Sequence, residues 1–177
     1  MNPDPQPASD PSRTIKRKIC MLGTFAVGKT SLVRRFVKGI FSDKYLTTMG
    51  AKVDKKSLAI DDVRMDLLVW DLNGEDRFQS LSMEYVRGSA GYFLVVDQTR
   101  PATLEAAHAL RQKVEQTVGP LPFILIVNKI DLPGHWDRRQ EDLDALRASG
   151  WICVETSAKT GTGVDEAFIA LARRLVE

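Results

Sequence analysis

The chain has 177 residues, 44% of them hydrophobic and 27% charged, the make-up of one water-soluble globular domain. Twenty-five basic and 23 acidic side chains leave a formal net charge of +2, too balanced for a protein built to grip nucleic-acid phosphates. Two cysteines, Cys20 and Cys153, allow one bridge at most, which excludes a secreted disulfide scaffold; both sit in apolar runs and read as buried free thiols.

Residues 1–13, MNPDPQPASDPSR, hold four of the eight prolines and neither a signal-peptide apolar core nor an Arg-rich amphipathic pattern. A disordered arm is expected there, with the folded domain in residues 14–177. No apolar run approaches the roughly 20 residues that span a bilayer. The last five residues contain no cysteine for a prenyl group, and Asn2 rather than glycine follows Met1, so no direct lipid anchor and a cytoplasmic location are expected.

Apolar runs then alternate with helical patterns. Ile15–Leu22 is a strand, and Thr30–Lys38 is a helix through the spacing of Leu32, Val33, Phe36 and Val37. Ala51–Ile60 and Val63–Asp71 are strands joined by the short turn Asp61-Asp62. Tyr92–Asp97 and Phe123–Asn128 are continuous apolar strands, with a helix, Ala102–Val118, between Pro101 and Gly119. Arg138–Ala148 is a shorter helix, Trp151–Glu155 the last strand, and Val164–Val176 the last helix. Fully apolar strands alternating with helices predict an α/β fold: six strands, mostly parallel, one antiparallel edge strand, helices on both faces. Ligands of such sheets sit at the carboxyl ends of the strands.

After the first strand stands Gly23-Thr24-Phe25-Ala26-Val27-Gly28-Lys29-Thr30, a G-x-x-x-x-G-K-[ST] loop between a strand and a helix. In such a loop the backbone N–H groups from Gly23 through Phe25, Ala26, Val27 and Gly28 into Lys29, Thr30 and Ser31 wrap phosphates, aided by the helix N-terminus. Lys29 reaches the terminal phosphates, and the Thr30 hydroxyl ligates Mg2+. The motif says nucleoside triphosphate, not which one.

Asn128-Lys129-Ile130-Asp131 follows the strand FILIVN. A carboxylate only accepts hydrogen bonds, so Asp131 can pair with the N–H and NH2 donors on the guanine edge, a pair adenine lacks. Glu155-Thr156-Ser157-Ala158-Lys159 follows the last strand, and its N–H groups can meet the guanine carbonyl. Each stretch is weak alone; in this order, each after a strand, the set is strong.

GTFAVGKT, WDLNGEDRF, NKID and ETSAK resemble the nucleotide-binding motifs of Ras-superfamily small GTPases, whose fold is the P-loop NTPase. The resemblance is nearest the Rab branch, through WDLNGEDRF and Tyr85-Val86-Arg87-Gly88, and covers about residues 15–177. It implies a domain that binds GTP and GDP with Mg2+ and switches two loops on hydrolysis. Switch I then spans about residues 39–50. There Phe41 stacks on guanine or is a core aromatic, Tyr45 covers the phosphates, and Thr48, with Thr47 its alternative in register, senses Mg2+ and the γ-phosphate. Asp71 associates with Mg2+, and Gly74 senses the γ-phosphate. The implied catalytic set is Lys29, Thr48, Gly74 and Glu75. Trp70 and Tyr85 match two of three aromatics that Rab proteins use for docking effectors, the third position being Val53.

Two residues depart from the family pattern. Glu75 replaces the glutamine that orients the attacking water; a carboxylate cannot donate to the phosphate, so it either swings away and slows hydrolysis or acts as a base. Phe25 replaces a small residue and crowds the path of an arginine supplied by an activating protein. Three functions follow in order of weight: a slow GTPase switch served by effectors, an exchange factor and an activating protein; a GTP-loaded scaffold; and an ATP-directed P-loop kinase or ATPase, which NKID and ETSAK oppose.

Overall fold

The computed structural model describes residues 13–44, 48–72 and 79–176. β1 (Arg13–Leu22) leads into α1 (Lys29–Lys38), β2 (Ala51–Ile60) and β3 (Val63–Leu72) form a hairpin, and α2 (Gln79–Val86) follows. β4 (Gly91–Asp97), α3 (Ala102–Val118), β5 (Phe123–Asn128), α4 (Arg139–Ala148), β6 (Cys153–Glu155) and α5 (Val164–Arg174) complete the order. The strands form one sheet, β2-β3-β1-β4-β5-β6. All its pairings are parallel except β2 with β3, which makes β2 the antiparallel edge. In the hairpin turn Asp61 takes φ 51°, a left-handed conformation that aspartate tolerates better than most residues.

Period-2 alternation sends one strand's side chains into two cores. In β4, Phe93 and Val95 join Ile19, Met21, Ile124 and Ile126 beneath α1 and α5. Tyr92, Leu94 and Val96 join Leu125 and Val127 beneath α3 and α4. On the first face Phe36 of α1 stacks on Phe168 of α5 with ring centroids 3.8 Å apart, and Phe93 tilts against Phe168 at 4.7 Å. This triad clamps both helices to the centre of the sheet.

From β1 the chain moves to β3 on one side and later to β4 on the other. The crevice at the carboxyl ends of β1 and β4 is therefore the point where the winding reverses, the place where open α/β sheets bind ligands.

Several expected elements shift at their edges, and one helix was not expected. β1 opens at Arg13, which pairs with Val63, so this residue belongs to the sheet and not to the N-terminal arm; residues 1–12 lie outside the described ones. β6 begins at Cys153 rather than Trp151, because the Trp151 N–H turns back to the Leu146 carbonyl and finishes α4. The final helix stops at Arg174, where Leu175 N–H bonds Ala172 O in a tightened turn. α2 was not legible: its sequence, QSLSMEYV, carries no apolar stripe at helical spacing.

Phe168→Ala removes the ring between Phe36 and Phe93, and the loss expected for such a truncation is about 3–5 kcal/mol. A urea titration of the purified chain checks it.

Candidate functional site

The loop between β1 and α1 exposes no helix or strand partner to its own carbonyls, so side chains must supply the donors. They do so for five residues in a row. Lys29 Nζ donates to the carbonyls of Gly23 (2.8 Å) and Thr24 (2.9 Å). Arg100 Nη2 donates to Phe25 O (2.8 Å), Lys129 Nζ to Ala26 O (2.8 Å) and Asn128 Nδ2 to Val27 O (3.0 Å). In a trans peptide the N–H points opposite to the preceding C=O. Pinning the carbonyls of 23–27 thus turns the N–H groups of 24–28 away from those donors, which makes an anion-binding concavity.

The pinning needs glycine at 28. Gly28 has φ 104°, and a Cβ there would lie 2.2 Å from Asn128 Nδ2. Without that Cβ, Asn128 reaches the loop, while its Oδ1 accepts from Thr156 Oγ1 (3.0 Å) and Ala158 N–H (3.3 Å). One buried amide joins the loops after β1, β5 and β6. A second tie is Lys129, which is also paired with Asp97 Oδ2 at 2.8 Å. Both ends of the Lys129–Ala26 contact are non-glycine residues with positive φ, 67° and 59°, a conformation costing roughly 1–2 kcal/mol per residue.

The three loops wall a cavity of about 320 Å3, inside the range of small-molecule sites. Phe25, Ala26, Gly28, Lys29, Thr30 and Ser31 line its phosphate-loop end. Asn128, Lys129, Asp131, Ala158 and Lys159 line the other. Ser157 Oγ donates to Asp131 Oδ1 at 2.7 Å, fixing a carboxylate that keeps further acceptor sites for a ligand's donors. Phe41 packs on the rim of the α1–α5 core and also lines the cavity.

Gly23, Val27 and Ser157 do not face the cavity. Gly23 is packed on the Val95 carbonyl, Val27 is fully buried in the core, and Ser157 serves Asp131. Sequence reading missed Arg34 and Lys44, cations at the wall, and Leu132 beside Asp131. Arg34 had a usable signal, since it lies one helical turn beyond Thr30.

Where the loop meets the hairpin, Thr30 Oγ1 donates to Asp71 Oδ2 at 2.5 Å and lies 2.7 Å from Thr48 Oγ1. The second oxygen, Asp71 Oδ1, is buried with no partner among the described residues. Burial raises the Asp71 carboxyl above its ordinary value, against the Thr30 hydrogen bond and the Lys29 charge. Two hydroxyls and one orphaned carboxylate oxygen are hard donors, and they fit Mg2+, which keeps waters and completes its shell with phosphate oxygens. Tyr45, Gly74 and Glu75 lie outside the described residues.

The cations are poised for an anion. Burial pulls the Lys29 ammonium down to about 8, with Asp71 opposing the fall and Arg100 adding to it. A bound anion would favour the charged form. Burial pushes Asp97 up, but the hydrogen bonds from Lys129 and Thr99 override it and hold the carboxyl below its usual value.

Comparison with known proteins places this arrangement. A model of the Ras family matches residues 18–177. Ras-related protein RABF2b of Arabidopsis thaliana is 36% identical over 166 residues, covering 93% of this chain and 83% of the relative. Ras-related protein Rab-18 of Caenorhabditis elegans is 33% identical over 172 residues, covering 96% and 84%. Ras-related protein Rab-21 of Geodia cydonium is 37% identical over 175 residues, covering 96% and 76%.

Gly28→Ala must displace Asn128 and strain the backbone at φ 104°. One lost hydrogen bond and one strained residue total about 2–3 kcal/mol. Binding of labelled GDP should weaken about 30-fold or more, read by fluorescence titration.

Proposed function

The chain belongs to the Ras family of small GTPases and is Rab-like, and on that premise we propose that it is a Mg2+-dependent switch that binds GTP and GDP and hydrolyses GTP slowly. The observation that carries the reading is the joining of the phosphate loop, the NKID loop and the ETSAK loop through Asn128 around one cavity. The N–H groups of residues 24–28 and Lys29 take the phosphates. Asp131 takes the donor edge of guanine, with the 158–159 backbone at its carbonyl. Thr30, Thr48 and Asp71 hold Mg2+, which when bound neutralises phosphate charge.

Slow turnover rests on two residues. Phe25 is 42% exposed at the cavity wall and fills the approach an activating arginine would use. Glu75 adds a negative charge and lacks a donor where the attacking water must be oriented. Effectors and regulators read the switch loops and the neighbouring aromatic surface. Tyr85 and Trp70 have ring centroids 5.8 Å apart, and Val53, 45% exposed, sits opposite Trp70 in the hairpin register. Lys18 Nζ stands 4.2 Å over the Trp70 ring, which adds positive charge to that surface.

Phe25 also favours a second reading, a GTP-loaded scaffold that rarely hydrolyses. The nucleotide retained on purification separates the two: mostly GDP for a switch, mostly GTP for a scaffold.

Labelled GDP on the chain should be displaced by GTP and not by equimolar ATP; displacement by ATP at similar concentration would sink the guanine assignment. In single-turnover hydrolysis, Glu75→Gln should run at least about tenfold faster than the parent chain, about 1.4 kcal/mol of barrier. A parent rate equal to or above that of Glu75→Gln would show that Glu75 serves as a base instead.

A further inference from the structure

Of the five side-chain donations that pin the carbonyls of residues 23–27, four come from Lys29, Asn128 and Lys129, all within the nucleotide-binding motifs. The remaining one, to Phe25 O, comes from Arg100, which lies in none of them. We infer that Arg100 is a positioning residue for the phosphate site: it completes the carbonyl collar and thereby aims the Ala26 N–H at the bound phosphates. The inference rests on the nucleotide reading above.

The geometry supplies both ends of the device. Arg100 Nε donates to Asp97 Oδ2 at 3.1 Å while Nη2 reaches Phe25 O, so the planar guanidinium spans a buried carboxylate and the loop. Asp97 is 1% exposed and also receives Lys129, Thr99 N–H and Thr99 Oγ1. One carboxylate thus anchors two cations, and these two cations grip two successive carbonyls, 25 and 26. Arg100 N–H also bonds Asp97 O, so main chain and side chain both tie Arg100 to Asp97 in the turn that precedes α3. Phe25 makes the grip more necessary. Its ring is partly in solvent, and Ala26 beside it sits at φ 59°, a strained conformation that an unpinned loop would relax.

Arg100 touches the loop from behind and does not line the cavity. Its side chain is 43% exposed, so its contacts are partly screened. The effect expected is therefore moderate.

The test uses the full chain loaded with labelled GDP, as parent, Arg100→Ala and Arg100→Lys. GDP release should be about three- to tenfold faster in Arg100→Ala, the size of one screened charge-assisted hydrogen bond. It should be intermediate in Arg100→Lys, which can serve one of the two partners. Competition by guanosine, which has no phosphate, should be unchanged, a split that a general loss of stability would not produce. Release within twofold of the parent for both variants, or an equal loss for guanosine and GDP, would overturn the inference. Should Arg100→Ala not fold, Arg100→Lys decides on the same criteria. Failure of the parent itself to bind GDP would overturn the nucleotide reading, and this inference with it.

Discussion

The amide of Asn128 against the bare Cα of Gly28 is the contact on which the site depends. It joins the end of β5 to the start of α1, and its geometry tolerates no side chain at position 28. Because the nitrogen serves Val27 and the oxygen serves Thr156 and Ala158, neither end can move without unpairing a buried polar group. Such a loss costs about 1–3 kcal/mol. The phosphate end and the base end of the cavity are therefore one body. The parallel sheet supplies the rigidity beneath it: β5 is buried almost throughout, and its last residue is Asn128 itself.

The charges follow from that constraint. A loop that turns five carbonyls toward one side needs five donations there, and here three cations and one amide give them. Lys29 covers two carbonyls and is itself nearly buried, so it carries a desolvation penalty that burial exacts on any ammonium. Asp97 meets the same problem from the other sign and resolves it with Lys129 and Thr99. Asp71 is left unresolved: its second oxygen has no described partner, and its carboxyl is raised. A carboxylate with one oxygen unpartnered among the described residues, beside two hydroxyls and a buried ammonium, has the chemistry to meet a cation and an anion together.

Much of this was legible in the sequence because motif and topology agree. The strands could be read from continuous apolar runs such as YFLVVD and FILIVN, and the ligand-binding end of the sheet from the position of GTFAVGKT after the first strand. The side chains that face the cavity include those whose chemistry demanded a ligand: Lys29, Thr30 and Asp131. What stayed hidden was of another kind. Asn128 lines the cavity and also ties Val27 O to Thr156 and Ala158, and no local pattern records that second task. Arg100 follows a Thr and precedes a Pro, an ordinary turn context, and only the fold brings it 75 residues back to Phe25. Ser157 and Val27 belong to motifs, yet their side chains meet Asp131 and the core. Motif membership marks the loop; which atom of each residue is used is settled by packing.

The same distinction separates binding from switching. The collar and the base loops are held by many side-chain-to-backbone contacts, whereas Thr48 is held by hydroxyl contacts to Thr30 and Asp71, the second of them 3.5 Å long. A typical hydrogen bond is worth about 1 kcal/mol net, so these contacts amount to about 1–2 kcal/mol. Inverting a population from 1:99 to 99:1 takes about 5.5 kcal/mol. Among the described residues, the hydroxyl contacts of Thr48 fall short of that figure. On the reading proposed above, a cation and a terminal phosphate that recruit the same hydroxyl would supply the difference, and their loss would withdraw it. The rigid half of the site then determines what is bound, and the weakly held half reports whether the last phosphate is still there.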